Sequence, residues 1–222
     1  TCDWSSDVCS SDLILLGCGE SREHAVNLAQ KYSSGRVCDR AFEEAGALWR
    51  DILDQISVNT PSPEMNVLLN TWLLYQTIAC RMWARSGFYQ AGGAYGFRDQ
   101  LQDSLAVLHS RPDLTRAQIL FHARHQYEEG DVQHWWHEET HRGIRTHFSD
   151  DYLWLPYTVA RYIEHTGDTG ILEEVVPYLK SEPLQEGEYE RYEPTCLSER
   201  SGTVLEHCLR AIDRALGRFG EH

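Results

Sequence analysis

The sequence predicts an all-α protein whose helices pair around a common axis, as in an α/α toroid. After Pro61, apolar residues recur at helical spacing in one stretch after another, whereas no convincing alternating strand pattern is found. The loops between the predicted helices are alternately short and long, which is typical of helix pairs whose long loops gather at one end. Hydrophobic residues make up 41% of the 222 residues, enough for a substantial core.

Composition and charge exclude several classes of protein. The net charge of -14 argues against binding to nucleic acid or to an anionic membrane, because both need a basic surface. There is no apolar run of roughly 18 residues or more, so we predict no membrane contact by this segment. The seven cysteines are scattered without the spacing of a metal site. Reduced thiols in a cytoplasmic protein are the simplest interpretation.

Residues 1–13 differ from the rest of the chain. They read T-C-D-W-S-S-D-V-C-S-S-D-L, a stretch of low complexity without the basic start or apolar centre of a signal peptide. The stretch resembles a translated sequencing adaptor, and we exclude it from the fold prediction. We therefore expect this chain to be a fragment of a protein that starts upstream.

Residues 14–60 are predicted to form a small unit of their own. Residues 14–19 are an apolar run ended by glycines, like the last strand of a preceding domain. Ser21 can cap a first helix, and a second helix is predicted over residues 39–56. The Thr-Pro-Ser-Pro segment at 60–63 then stops helix formation, so we place a domain boundary between residues 60 and 61.

Residues 61–222 are predicted to form a larger helical unit. Segment 65–85 is apolar nearly all round, which predicts a helix buried on several sides. Another helix is predicted to begin at Pro112, one to end at Gly167, and a last one to cover residues 205–216. Between them we predict two long loops, at 128–150 and 181–200.

A glycine-rich segment leads into a polar helix at residues 92–103, which read G-G-A-Y-G-F-R-D-Q-L-Q-D. At helical spacing Asp99, Gln102 and Asp103 share one face, whereas the leucines fall on the opposite side. Many such faces are only solvated, but the glycines and aromatics suit a chain that passes close to a ligand. This gives a first group of candidate binding residues: Arg98, Asp99, Gln102 and Asp103.

The predicted loop at 128–150 is crowded with aromatic and planar polar side chains. Sugar binding needs this mixture, because indole rings stack on apolar C–H faces while planar polar groups meet hydroxyls. The alternative is a tryptophan pair that only fills the core. Asp150 is the last residue of this loop, and it fits the role of a helix N-cap as well as that of a ligand contact. The second group of candidates is Gln133, Trp135, Trp136, Arg142, Arg145 and Asp151.

Two further signals concern metals and anions. His137 and His141 frame an H-E-x-x-H motif, which holds zinc when both histidines lie on one stable helix. Gly143 argues against such a helix, and we predict no metal. Arg85 follows an apolar segment, where an arginine needs an anionic partner such as a carboxylate or phosphate.

Six segments together resemble one family of enzymes. They are N-x-W-L-L-Y-Q-T (70–77), A-R-S-x-F-Y-Q (84–90), the segment at 92–103, E-G-D-V-Q-H-W-W-H (129–137), R-G-I-R-T (142–146) and S-D-D-Y-L-W-L-P-Y (149–157). In this order they resemble glycoside hydrolase family 94, the cellobiose and chitobiose phosphorylases. Within the family, the residues of these segments are most similar to the phosphorylase-like region of cyclic β-1,2-glucan synthases.

The resemblance implies a partial (α/α)6 barrel at residues 61–222. Residues 14–60 would then be the end of a β-sandwich plus a helical linker. Arg98 and Asp103, with Asp99 beside them, would hold sugar hydroxyls in the −1 subsite. Arg85 matches an arginine near the family's phosphate-binding region, and residues 133–145 would line the cleft.

The resemblance also implies inverting phosphorolysis of a β-linked glucan, β-1,2-glucan being favoured. A carboxylic acid protonates the glycosidic oxygen while inorganic phosphate, the co-substrate, attacks the opposite face of the anomeric carbon. No cofactor is implied. The family's acid lies in a G-D-W-N-D motif that this sequence lacks, so we expect it beyond His222 and expect the chain alone to be inactive. The parent could belong to a larger inner-membrane-associated synthase or form a homodimer.

Three alternatives stay open on the sequence. The first is an inverting glycoside hydrolase on the same barrel. The second is a zinc metallopeptidase that uses His137 and His141. The third is a carbohydrate-binding module without catalysis.

Overall fold

The computed structural model describes residues 14–84 and 92–217. They divide into two units between Asp54 and Gln55. The first unit contains helices α1 (Arg22–Lys31) and α2 (Gly35–Leu53), and residues 14–19 before them have no regular secondary structure. Ser21 caps α1 as predicted, since its hydroxyl accepts a hydrogen bond of 3.1 Å from the amide of His24.

The second unit begins with a continuous helical segment. It comprises α3 (Pro63–Val67), a π-helical stretch (Leu68–Trp72), α4 (Leu73–Gln76) and a second π-helical stretch (Thr77–Trp83). Four longer helices follow in the described part of the chain, and a short 3-10 helix (Thr169–Glu173) comes after the third of them. They are α5 (Phe97–Val107), α6 (Pro112–Ala123), α7 (Ser149–Thr166) and α8 (Val204–Leu216).

Within residues 14–84 and 92–217, six strands in two antiparallel sheets correct the prediction that the chain is all-α. The strands are β1 (Tyr95–Gly96), β2 (Gln133–His137), β3 (Arg142–Thr146), β4 (Val175–Leu179), β5 (Glu190–Pro194) and β6 (Leu197–Thr203). One sheet has the order β1-β2-β3-β5, and the other pairs β4 with β6. The first predicted long loop therefore contains β2 and β3, and the second contains β5 and the start of β6.

Local sequence hides these strands for a physical reason. Strands β2, β3 and β5 are each five residues long, and charged or polar side chains lie on both of their faces. Strand β4 contains Pro177, which normally argues against a strand. Their stability comes from pairing with distant segments and from packing on helices, which a local periodicity does not report.

The main core lies among α5, α6, α7 and α8. Phe97, Leu101, Ile119, Leu155 and Val204 are fully buried within it. The helical segment from α3 to Trp83 is different, because α5 packs on its C-terminal part, where Ile78 and Met82 are buried. Most of its other large apolar side chains are exposed, so the prediction of burial on several sides was wrong for the described chain: Met65, Leu68, Leu69, Trp72, Leu73, Trp83.

None of the helices in the described ranges, 14–84 and 92–217, is long and apolar enough to cross a bilayer.

Candidate sugar-binding site

The first turns of α5 and α7 pack together and are joined by an ion pair. Arg98 Nη1 donates a hydrogen bond of 2.9 Å to Asp150 Oδ2. The guanidinium also lies 5.5 Å from the centre of the Trp154 ring. The two charged side chains are 50% and 56% exposed. Exposed ion pairs contribute little free energy. A ligand can therefore replace Asp150 as the partner of Arg98, or Arg98 as the partner of Asp150.

A histidine from β2 meets the same end of α7. His134 Nδ1 lies 2.7 Å from Oδ2 of Asp151, whose side chain is only 2% exposed. The hydrogen bond to Asp151 raises the pKa of His134, and burial raises the pKa of Asp151. Both groups thus hold protons more tightly than they would in water. Asp150 is not the N-cap of α7, because Phe148 occupies that position.

Two more aspartates of α5 belong to this cluster. Asp103 Oδ2 accepts a hydrogen bond of 2.8 Å from Arg81 Nε. Burial raises the pKa of Asp103, and the charge of Asp99 adds to that rise, while Arg81 opposes it. The charge of Asp99 also raises the pKa values of His134 and Asp151, so its carboxylate lies within electrostatic range of all three.

The glycine before α5 has a steric reason. A Cβ at Gly96 would overlap the Asp99 carboxylate. The amide of Gly96 also donates a hydrogen bond to the side chain of Gln100. A side chain at Gly96 would therefore require the Asp99 carboxylate to move, which accounts for one of the glycines in the segment that leads into α5.

The structure thus brings four of the sequence candidates into one cluster: Arg98, Asp99, Asp103 and Asp151. We name this the α5–α7 cluster and include in it Asp150, His134, Arg81 and Trp154. Gln102 is exposed on α5. The sequence prediction missed Arg81 and Trp154. Spacing could have found Trp154, which lies four residues after Asp150 on the same helix face.

Three other candidates are fully buried and have internal partners. Gln133 Oε1 lies 2.7 Å from His125 Nδ1, and Trp136 stacks on His125 with ring centres 3.8 Å apart. Arg145 donates two hydrogen bonds of 2.7 Å to Asp131 and lies over the Tyr127 ring. For Trp136, this packing is the alternative that the sequence left open, a tryptophan that fills the core.

Trp135 and Arg142 lie on one face of the sheet, according to the strand register. Both are partly exposed, and both contact Tyr192 of β5. The predicted phosphate ligand, Arg85, lies outside the described residues.

The H-E-x-x-H motif does not form a helix. His137 ends β2, and His141 lies in the turn before β3 with a positive φ of 49°. The two histidines therefore do not share one helix face, as the zinc motif requires. Within residues 14–84 and 92–217, no group of three or more potential metal ligands is found. The zinc metallopeptidase alternative has no structural support.

Comparison with known proteins identifies the family. The profile of the Glycosyl hydrolase 94 superfamily, catalytic domain, matches residues 48–222. The chain, whose second unit carries the charged α5–α7 cluster, therefore belongs to the glycosyl hydrolase 94 superfamily.

Individual relatives agree with this assignment. The chain is 49% identical over 180 residues to the cyclic beta-(1,2)-glucan synthase NdvB of Rhizobium meliloti (strain 1021), covering 81% of the chain and 6% of that protein. It is 34% identical over 213 residues to solabiose phosphorylase of Paenibacillus borealis, covering 94% and 23%. It is 29% identical over 192 residues to N,N'-diacetylchitobiose phosphorylase of Vibrio proteolyticus, covering 74% and 24%. The chain thus spans less than a quarter of these relatives' lengths.

Proposed function

We propose that this chain contributes part of the −1 sugar subsite of an enzyme that acts on β-linked glucans, with β-1,2-glucan favoured. The convergence of Arg98, Asp99, Asp103 and Asp151 at the paired ends of α5 and α7 carries the proposal. The similarity to a cyclic beta-(1,2)-glucan synthase favours the linkage. We also infer that the helices of the second unit belong to an (α/α)6 barrel.

The cluster suits a polyhydroxylated ligand. Ionised aspartates accept hydrogen bonds from hydroxyl groups, and the Arg98 guanidinium donates them. The Trp154 ring next to Arg98 offers an apolar surface for the C–H groups of a sugar. Acceptors, donors and an aromatic surface are thus present within one small area, which is the usual composition of a polar ligand site.

None of the aspartates is assigned the role of general acid. Three of them are held by cations or by a histidine: Asp103 by Arg81, Asp150 by Arg98, and Asp151 by His134. Such partners position the carboxylates as hydrogen-bond acceptors for the sugar. In the proposed reaction, inverting phosphorolysis, the acid comes from a G-D-W-N-D motif, and this sequence contains none. Phosphate is already an anion, so no general base is required.

The proposed partners follow from this reaction. They are a β-glucan oligosaccharide and inorganic phosphate, and no cofactor is proposed. We place this segment in a cytoplasmic part of the parent protein. Inverting hydrolysis on the same domain is the alternative. In the parent protein, product analysis separates the two, because phosphorolysis releases glucose 1-phosphate and hydrolysis releases glucose.

Calorimetric titration of the 222-residue chain with a β-1,2-linked glucose disaccharide tests the subsite. We expect Arg98→Ala to weaken binding by about tenfold to a hundredfold, because a charged hydrogen bond is worth roughly 1.5–3 kcal/mol. Arg161→Ala is the matched control, since Arg161 forms an exposed ion pair with Glu164 farther along α7. Equal affinity of Arg98→Ala and the original chain would contradict the proposal.

A further inference from the structure

An aromatic surface covers one face of the β1-β2-β3-β5 sheet. Trp135 and Tyr192 both lie opposite Ile144 in the strand register, so the three side chains form a row across β2, β3 and β5. The two rings lie 5.5 Å apart at an interplanar angle of 37°. Ile144 beneath them is buried, whereas Tyr192 is 45% exposed. The rings therefore present aromatic area to solvent.

Two polar side chains frame the ring pair. Arg142 holds its guanidinium 4.8 Å from the centre of the Tyr192 ring. His137 lies opposite Arg142 in the register, and its ring meets Trp135 edge to face with centres 5.5 Å apart. Arg142 retains N–H donors around its edge when it stacks on a ring. We name the four residues Trp135, His137, Arg142 and Tyr192 the sheet platform.

We propose that the sheet platform is a second sugar-binding surface, which holds units of a β-glucan chain outside the −1 subsite. This inference rests on the proposed function. Sugar rings combine an apolar C–H face with hydroxyls at the rim, and the platform combines flat rings with donors at their edges.

The platform is separate from the α5–α7 cluster. His134 and Trp135 are neighbours at a β-bulge of β2, but they have different partners. His134 holds Asp151 and packs on Phe148, whereas Trp135 contacts His137 and Tyr192. The two surfaces can therefore be disabled one at a time. Long glucans should use both, whereas a disaccharide should use only the cluster.

Binding of a long β-1,2-glucan to the full chain tests the proposal. Tyr192→Leu keeps apolar cover over Ile144 but removes the flat ring. We expect it to weaken glucan binding by roughly threefold to tenfold, and to leave disaccharide binding unchanged. Trp135→Leu should act in the same way. Tyr189→Leu is the matched control, because Tyr189 is also exposed and precedes β5 but is not part of the platform.

A third variant separates this inference from the proposed function. In Arg98→Ala, glucan binding through the platform should persist, and Tyr192→Leu in that background should remove it. If Tyr192→Leu and Trp135→Leu bind the glucan like the original chain, the inference is overturned while the −1 subsite stands. An equal loss in Tyr189→Leu would also overturn it. If Arg98→Ala has no effect and Tyr192→Leu does, the proposed function fails and the platform remains.

Discussion

At the scale of single residues, Arg98 and Arg145 show how one type of side chain serves two purposes. Arg98 is half exposed and pairs with an equally exposed Asp150. Arg145 is fully buried and pairs with Asp131, which is buried too. The sequence placed both arginines among the sugar-binding candidates, because a planar polar side chain next to aromatics has the same local signature in a site and in a core. Only the packing separates them.

Removal of the Arg145 side chain should strongly destabilise the fold. Arg145→Ala would leave Asp131 buried without its bidentate partner, and breaking a buried ion pair typically costs about 3–5 kcal/mol. Urea denaturation monitored by tryptophan fluorescence measures the change. The control, Arg161→Ala, removes an exposed pair and should cost less than about 1 kcal/mol. Similar losses in the two variants would contradict the role given to Arg145.

The pKa of His134 should fall when Asp151 is neutralised. The Asp151 hydrogen bond is the largest cause of the raised pKa of His134. In Asp151→Asn that cause is removed, so we expect the imidazole to titrate at lower pH in an NMR titration. A raised folded pKa stabilises the fold below the unfolded pKa of His, about 6.5, and the contribution is lost as pH rises through the folded pKa. An unchanged His134 titration in Asp151→Asn would show that the pair does not form.

At the scale of elements, helices could be predicted well and strands could not. The N-cap at Ser21 and the end of α7 at Gly167 each have a local signal, a capping hydroxyl in the first case and a glycine at φ 73° in the second. Strand β3 has no such signal, because it is stabilised by pairing with other strands. One partner, β2, is close in sequence, but the other, β5, lies far along the chain. The sequence therefore placed Trp135 and Trp136 in one loop, whereas the strand directs them to opposite faces.

The β2–β3 hairpin should not tolerate a side chain at Gly143. A Cβ there would collide with the side chain of Gln133 and lie 2.9 Å from Trp136 Cβ. Gly143→Ala should therefore destabilise the fold by roughly 1–3 kcal/mol, measured by chemical denaturation. Gly92→Ala is the control, since its Cβ would meet no atom of the described residues within 4 Å. Equal stability of the two variants would show that the hairpin has room for a side chain at Gly143.

At the scale of the whole molecule, two buried histidines link stability to pH. Burial lowers the pKa of His122 from 6.5 to about 3 and that of His207 from 6.5 to about 4. His122 lies among aromatic rings, and His207 stacks on Tyr178. Both remain neutral in the folded protein and gain a proton on unfolding. Their contribution is complete above about pH 6.5 and is lost as pH falls towards the folded pKa values.

The free energy of unfolding should therefore decrease between about pH 6.5 and pH 4. Each of the two histidines contributes up to about 1.4 kcal/mol per pH unit in this window. His122→Gln should reduce the slope, whatever its effect on stability at neutral pH. His109→Gln is the control, because His109 is exposed. Denaturation curves at several pH values measure both, and a slope that His122→Gln leaves unchanged would contradict the account.

The site as a whole was predictable only in part. Asp99 and Asp103 could be grouped from their helical spacing, and Arg98 from its neighbouring position. Their meeting with Asp151 and His134 depends on how α5, α7 and β2 pack, which no local pattern reports. The buried positions of Trp136 and Arg145 likewise depend on tertiary contacts. The family resemblance singled out these stretches of chain, and the structure separates their side chains that reach solvent from those that build the core.

NMR titration of the 15N-labelled chain with a β-1,2-linked glucose disaccharide tests the central claim most directly. The amides of residues 98–103 and 150–154 are predicted to shift saturably, and the His134 ring signals with them, while the amides of α8 remain in place. This pattern would locate the sugar at the α5–α7 cluster. Shifts that do not saturate, or saturable shifts confined to other parts of the chain, would contradict the claim.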